Sequence, residues 1–199
     1  HRQGAIQGEA KTSELVRRIE QESIRMSTLV EDLLLLARLD QSREMESEPV
    51  DVKNLIEECV ASARAAGPDH PITLALPQDD LFILGDSNRI HQVVSNLLAN
   101  ARTHTPTGTQ INIAASQDER GTFIEVSDQG PGLSAEDQAR IFERFYRADT
   151  SGNIPGTGLG MSIVQEIASL HQGEAVVEST LGEGTTATLW LPTVAAWRG

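Results

Sequence analysis

N-L-L-A-N-A, residues 96–101, falls where the sequence predicts a helix opened by Asp86 as an N-cap and running to about Thr103. Asn96 and Asn100 are four positions apart, so both amides project from one side of that helix. Val93, Leu97 and Ala101 form a neighbouring apolar face suited to lie on a sheet. Two amide oxygens in line suit magnesium, which takes few protein oxygens and completes its octahedron with phosphate oxygens and water. Two polar positions on an ordinary surface helix would look the same, so the reading turns on what surrounds the motif.

Downstream, S-D-Q-G-P-G-L (127–133) closes a predicted strand, and Gly130 and Gly132 permit a tight turn with close backbone approach. A carboxylate only accepts, so Asp128 suits the exocyclic amine of adenine and opposes the carbonyl that guanine would present. A charge-assisted bond of this kind is worth about 1.5–3 kcal/mol. A plain turn explains the motif equally well. R-I-F-E-R-F-Y-R (140–147) and G-T-G-L-G (156–160) follow, and the glycines lead into a helix that ends before Gly173. Glycine-rich backbone ahead of a helix N-terminus favours an anion, because exposed N–H groups and the positive helix end act together. No Lys-Ser/Thr pair follows these glycines, which argues against a Walker loop, and no strand precedes them, which argues against a dinucleotide fingerprint. Phe142, Phe145 and Tyr146 flank residues 148–155, a stretch poor in apolar anchors that reads as a lid hinged at Gly152 and Gly156.

The N-terminal part is different in kind. Residues 9–39 read as one long helix in which Ile19, Met26 and Leu33 recur every seven positions. Leu15, Leu29 and Leu36 form a second row, with Glu22 the polar exception. Such a seam wants partner helices, either within its own domain or in a dimeric four-helix bundle. Residues 40–49 are polar and closed by Pro49, which marks a linker. Beyond it come a short strand at 50–52, a helix at 53–66, strands at 72–76, 81–84, 110–116 and 122–128, and a closing pair at 174–179 and 185–191. Strands in hairpin order beside a few helices indicate an α+β layer, a mixed sheet covered on one face by helices.

Bulk properties set limits. The 199 residues carry a net charge of −13, which disfavours nucleic acid and anionic membranes as partners. Cys59 is the single cysteine, so no internal disulfide and no thiolate zinc site can form. No apolar run is long enough to span a membrane.

Taken in order, N-L-L-x-N-A, D-x-G-x-G, F-x-R-F and G-T-G-L-G resemble the N box, first glycine box, F box and second glycine box of histidine kinases. L-G-E-G-T-T-A-T-L-W-L-P (181–192) is similar to that family's closing hairpin, and R-M-S-T-L-V-E-D-L-L-L-L-A-R-L-D (25–40) to the second helix of its dimerisation and phosphotransfer hairpin. The resemblance implies a Bergerat-type α/β sandwich preceded by a coiled-coil-like helix. It divides the chain into a partial hairpin at 1–40, a linker at 41–51 and an ATP-binding catalytic domain at 52–195. The cofactors implied are ATP and Mg2+. On this carry-over Asn100 holds magnesium, Asn96 supports the phosphates, and Asp128 binds the adenine amine with help from Thr185. Gly130 and Gly132 shape the base pocket, and Gly156, Thr157, Gly158, Leu159 and Gly160 wrap the phosphates. His104 stands where the family often places a ring over adenine, and Tyr146, Arg147 and Arg102 are further contacts. The family commonly has Lys or Arg three residues after the magnesium asparagine. Thr103 is there instead, and Arg102 beside it is turned by roughly 100° on the helix.

None of the five histidines, His1, His70, His91, His104 and His171, is followed by the family's E/D-L-R-x-P acceptor sequence. The acceptor is therefore expected upstream, with G-A-I-Q-G (4–8) as the turn between hairpin helices. The expected activity is phosphoryl transfer to that histidine and relay to the receiver domain of a response regulator. The whole protein is expected to dimerise through the N-terminal helix and to lie in the bacterial cell membrane, with this part cytoplasmic. A gyrase-like ATPase of the same fold would place glutamate at position 96 to activate water, and asparagine cannot take that proton. An anti-sigma-factor-type serine kinase would not need the long helix.

Overall fold

In a computed structural model, residues 2–40, 47–67, 69–148 and 156–192 are described, with backbone alone for 2–14, 18, 21, 38 and 40. The elements are α1 (Arg2–Asp40), β1 (Glu48–Asp51), α2 (Val52–Ala66), β2 (Ile72–Ala75), β3 (Phe82–Gly85) and α3 (Ser87–Thr103). They continue with β4 (Ile111–Gln117), β5 (Gly121–Asp128), α4 (Ala135–Arg140), α5 (Gly160–Leu170), β6 (Glu174–Thr180) and β7 (Gly184–Pro192). The fold is α+β, with a five-stranded mixed sheet in the order β2-β4-β5-β7-β6. Only β2 and β4 are parallel; the rest of this sheet is antiparallel.

Alternation decides which face of the sheet is buried. Ile111, Ile113 and Ala115 on β4, Thr122, Ile124 and Val126 on β5, and Leu189 and Leu191 on β7 point inward, two residues apart. Three amphipathic helices cover that face. α2 contributes Leu55, Ile56 and Val60, α3 contributes Ile90, Val93, Val94, Leu97 and Leu98, and α5 contributes Ile163, Val164, Ile167 and Ala168. Each fully buried Ile or Leu is worth about 1.5–3 kcal/mol, so this layer fixes where α3 and α5 can sit. Asp86 caps α3 as expected: its carboxylate accepts the Arg89 N–H at 3.1 Å and pairs with the Arg89 side chain at 3.1 Å.

Several expectations are corrected. β1 and β3 form a separate antiparallel pair outside the main sheet, and the short strand expected at 50–52 begins two residues earlier, at 48–51. Val50 is its buried anchor, and Pro49, lacking an N–H, is at home on so short an edge strand. No turn forms at 4–8, because α1 is continuous from Arg2. A helical glycine costs about 1 kcal/mol against alanine but does not end a helix. The heptad seam also splits. Leu15, Ile19, Met26 and Leu33 are exposed (59% for Ile19, 65% for Met26), whereas Leu36 and Leu39 are 3% and 2% exposed and Leu29 packs on the same core. The C-terminal end of α1 is docked on the domain beside α5. The six-residue α4 was not foreseen; it buries nothing, and its signal is Ser134 capping the Asp137 N–H at 3.1 Å. Among the described residues, no helix is long and apolar enough to cross a membrane.

Candidate functional site

α3 carries three of the expected side chains. The Asn96 amide donates to the carbonyl of Gly160, the first residue of α5, at 3.2 Å, and accepts from Gln92 at 3.2 Å. Asn100 lies one turn further on. A Cβ built on Gly160 would be 4.0 Å from Asn100 Oδ1 and 4.0 Å from Asn96 Cγ, so both amides face the start of α5 across a gap kept open by glycine. His104, at the C-cap, is close enough to Asp128 to act on its charge.

Asp128 ends β5 between two neighbours, opposite Ile111 on β4 and Thr185 on β7. Burial pushes its carboxyl up from the ordinary range, and the N–H groups of Gly130 and Thr185, with His104, pull it down. The Gly130 N–H donates to Asp128 Oδ1 at 2.8 Å. The turn is packed by missing side chains. A Cβ on Gly132 (φ +69) would meet the Thr180 carbonyl oxygen at 2.1 Å, and one on Gly184 the Asp128 carbonyl oxygen at 2.0 Å. Ser179 ties these pieces together. Its hydroxyl accepts the Leu133 N–H at 2.8 Å, donates to the Gly184 carbonyl at 2.8 Å and is 2.9 Å from the Thr185 hydroxyl.

The second glycine-rich segment is held differently. The Phe145 N–H donates to the Gly158 carbonyl at 2.8 Å. Phe145 takes φ 66, a conformation costly for an aromatic residue, and Gly158 takes φ +74 with its α-carbon against the Phe145 backbone. Tyr146 is turned toward α4, its hydroxyl donating to Asp137 at 2.7 Å while the Arg140 guanidinium stacks on its ring, 4.3 Å from the centroid. Leu159 is wholly buried, so its side chain anchors the turn in the core. Its N–H donates to the Thr157 hydroxyl at 3.3 Å, and that hydroxyl donates to Asp32 of α1 at 2.9 Å.

The structure thus brings Asn96, Asn100 and Gly160 together at one end and His104, Asp128, Gly130, Gly132 and Thr185 at the other. Arg102 joins neither group. Its guanidinium lies where a Cβ of Gly67 would be, at the end of α2, because position 102 is turned away from the face of Asn96 and Asn100. Arg147 is half-buried, just past Tyr146. The stretch 148–155 read as a lid lies outside the described residues except for Ala148, and of its two hinges only Gly156 is described. Sequence reasoning missed Ser179, Asp137 and Asp32. Only Asp32 left a trace, as the single charge in the apolar stripe Leu29, Asp32, Leu36, Leu39.

Residues 85–195 match the family described as histidine kinase-, DNA gyrase B-, and HSP90-like ATPase. The chain is 46% identical over 167 residues to the probable sensor histidine kinase TcrY of Mycobacterium tuberculosis, covering 83% of this chain and 35% of that protein. It is 37% identical over 185 residues to the sensor histidine kinase RppB of Synechocystis, covering 89% and 40%. The chain thus spans 35% and 40% of the length of these two curated relatives, well under two thirds of either. Among solved structures, the mycobacterial sensor histidine kinase MprB superposes with a TM-score of 0.65 at 28% identity, over 73% of this chain and 97% of that one. Full-length ShkA in complex with AMPPNP superposes with a TM-score of 0.72 at 31% identity, over 83% and 35%.

Proposed function

This chain belongs to the histidine kinase-, DNA gyrase B- and HSP90-like ATPase family, and from that premise we propose that it is the Mg-ATP-binding catalytic part of a two-component sensor kinase. One observation carries the reading. Asn96, Asn100 and His104 follow one another at i, i+4 and i+8 along α3 and its C-cap, about 12 Å of helix rise. That face meets the N-terminus of α5 at one end and Asp128 at the other.

Asp128 accepts the adenine amine, with Thr185 and His104 beside the base and Gly130 and Gly132 keeping the turn close enough to touch it. Gly156, Thr157, Gly158 and Gly160 present backbone N–H groups to the phosphates at the positive end of α5. Leu159 holds that turn in the core, Tyr146 fixes its near side against α4, and Arg147 offers a cation. Asn96 supports the phosphates. Asn100 fits magnesium: its oxygen is neutral and hard, and Gly160 leaves room between the amide and α5. Magnesium bound there would neutralise charge on the bridging and terminal phosphate oxygens.

A histidine nitrogen that belongs to none of this chain's five histidines attacks the γ-phosphorus, and ADP leaves with the electrons of the broken P–O bond. The phosphoryl group then passes to an aspartate of a response regulator receiver domain. His70 and His171 are buried and cannot serve as the acceptor. Asn96 disfavours hydrolysis, since it cannot deprotonate water. The exposed Leu15, Ile19, Met26 and Leu33 suit a homodimer partner helix. Incubation with labelled ATP and magnesium tests the reading: the chain should bind nucleotide yet gain no acid-labile label. Acid-labile, alkali-stable phosphate on His1, His70, His91, His104 or His171 would overturn the placement of the acceptor.

A further inference from the structure

α1 reaches the phosphate end of the site with one charged side chain. Leu29, Asp32, Leu36 and Leu39 follow one another at spacings of three and four, and the three leucines pack against the domain core. A carboxylate within an apolar docking stripe is costly unless it gains a partner. Burial pushes Asp32 above the ordinary carboxylate range, the Thr157 hydrogen bond pulls it down, and neighbouring Glu31 pushes it up. The Thr157 hydroxyl donates to Asp32 Oδ2 at 2.9 Å and accepts the Leu159 N–H. A threonine has one proton to give, and here Asp32 takes it.

We propose that Asp32 is an internal competitor for nucleotide phosphates. With α1 docked, its carboxylate claims the Thr157 hydroxyl and places a negative charge beside the glycine-rich turn ahead of α5. Docking of α1 and binding of a nucleoside triphosphate therefore oppose each other. The inference rests on reading residues 156–160 as the phosphate-binding turn. Coupling between sites is reciprocal, so ATP must loosen α1 as much as docked α1 weakens ATP. The leucines supply the docking and the charge supplies the selectivity. Adenosine, which carries no phosphate, has nothing to contest.

The test titrates the whole chain and its Asp32→Ala variant with a fluorescent ATP analogue, and measures adenosine by competition against that probe. Asp32→Ala should bind ATP about fivefold tighter or more, with adenosine unchanged. Asp32→Asn keeps an acceptor for Thr157 but loses the charge, and should shift in the same direction by less. Hydrogen exchange across residues 29–39 of the unmodified chain should quicken when ATP and magnesium are added. Unchanged or weaker ATP binding by Asp32→Ala, or an equal gain for adenosine, overturns the proposal. Asp128→Asn, titrated alongside, separates the two possible failures. If it weakens ATP while Asp32→Ala does not tighten it, the nucleotide site stands and the competitor is wrong. If the unmodified chain binds no ATP, both readings fall.

Discussion

The base end and the phosphate end of the site each depend on glycines at positive φ, yet they are supported in different ways. Around Asp128 the main supports come from the sheet: β4 and β7 flank it, and Ser179 joins the Gly132 turn to the β6–β7 hairpin. Around Gly158 the supports are one backbone bond from Phe145, the buried Leu159 and a hydroxyl contact to α1. One end is built into the sheet, and the other leans on a loop, a core leucine and a helix outside it.

Substitutions can break or sharpen that contrast. Gly132→Ala should have the largest effect, because it meets both positive φ and the Thr180 carbonyl in a turn that cannot yield. We expect a loss of about 3 kcal/mol or more of stability, read as a fall in the thermal midpoint. Asp128→Asn should come next, keeping an acceptor for adenine but losing its charge. ATP binding should weaken by about one to two orders of magnitude, where ~1.4 kcal/mol is tenfold, and an unchanged titration would remove Asp128 from the pocket. Gly158→Ala meets the Phe145 backbone at 2.7 Å, a clash as real as that at Gly132 but against a loop outside the sheet. It should cost only about 1–2 kcal/mol, and a loss equal to that of Gly132→Ala would erase the contrast.

The smallest effect concerns the root of α3, which both ends share. His171 is buried; its ring accepts the Asp86 N–H at 3.1 Å and faces the Ile167 carbonyl at 2.8 Å. Burial holds its pKa below the ordinary 6.5, with the Ile167 bond and Asp86 pulling up and Arg89 pushing down. The neutral ring is therefore the native form, and its contribution is complete above pH 6.5 and lost as pH falls below it. The slope should be at most about 1.4 kcal/mol per pH unit for this one proton. Denaturant melts from pH 7.5 downward, compared with His171→Gln, would measure it. An identical pH slope in that variant would show that His171 plays no part.

The sequence announced the parts of the site that need a particular residue type. That Asn96 and Asn100 share a face, and that Asp128 stands beside close-packed glycines, is legible because amide, carboxylate and absent side chain are chemically distinct and their spacing is printed in the chain. The sheet was legible for a similar reason, through the two-residue alternation of Ile111, Ile113 and Ala115. What escaped depends on direction and distance. The aim of Arg102 toward Gly67 follows from its angle on α3 together with where α2 happens to end. Tyr146 reads as a nucleotide contact until α4 supplies Asp137. The seam of α1 looked continuous because a heptad row records which residues are apolar, not which partner buries them.

β4 and β5 pair from Ile111↔Asp128 to Gln117↔Thr122, and β6 and β7 close a second hairpin at Thr180↔Gly184. The hairpins meet where β5 joins β7, and the glycine-rich turn 156–160 is strung on the chain between them, facing Asn96 and Asn100 of α3. Closing a loop costs entropy that grows with the logarithm of its length, about 0.6 kcal/mol for each doubling. The seam between the hairpins is therefore nearly indifferent to how many residues intervene. Residues can be added or removed between Ala148 and Gly156 while the strands, and the base pocket they build, keep their register. A sheet joined in this way tolerates change in the length of the segment that links its two hairpins.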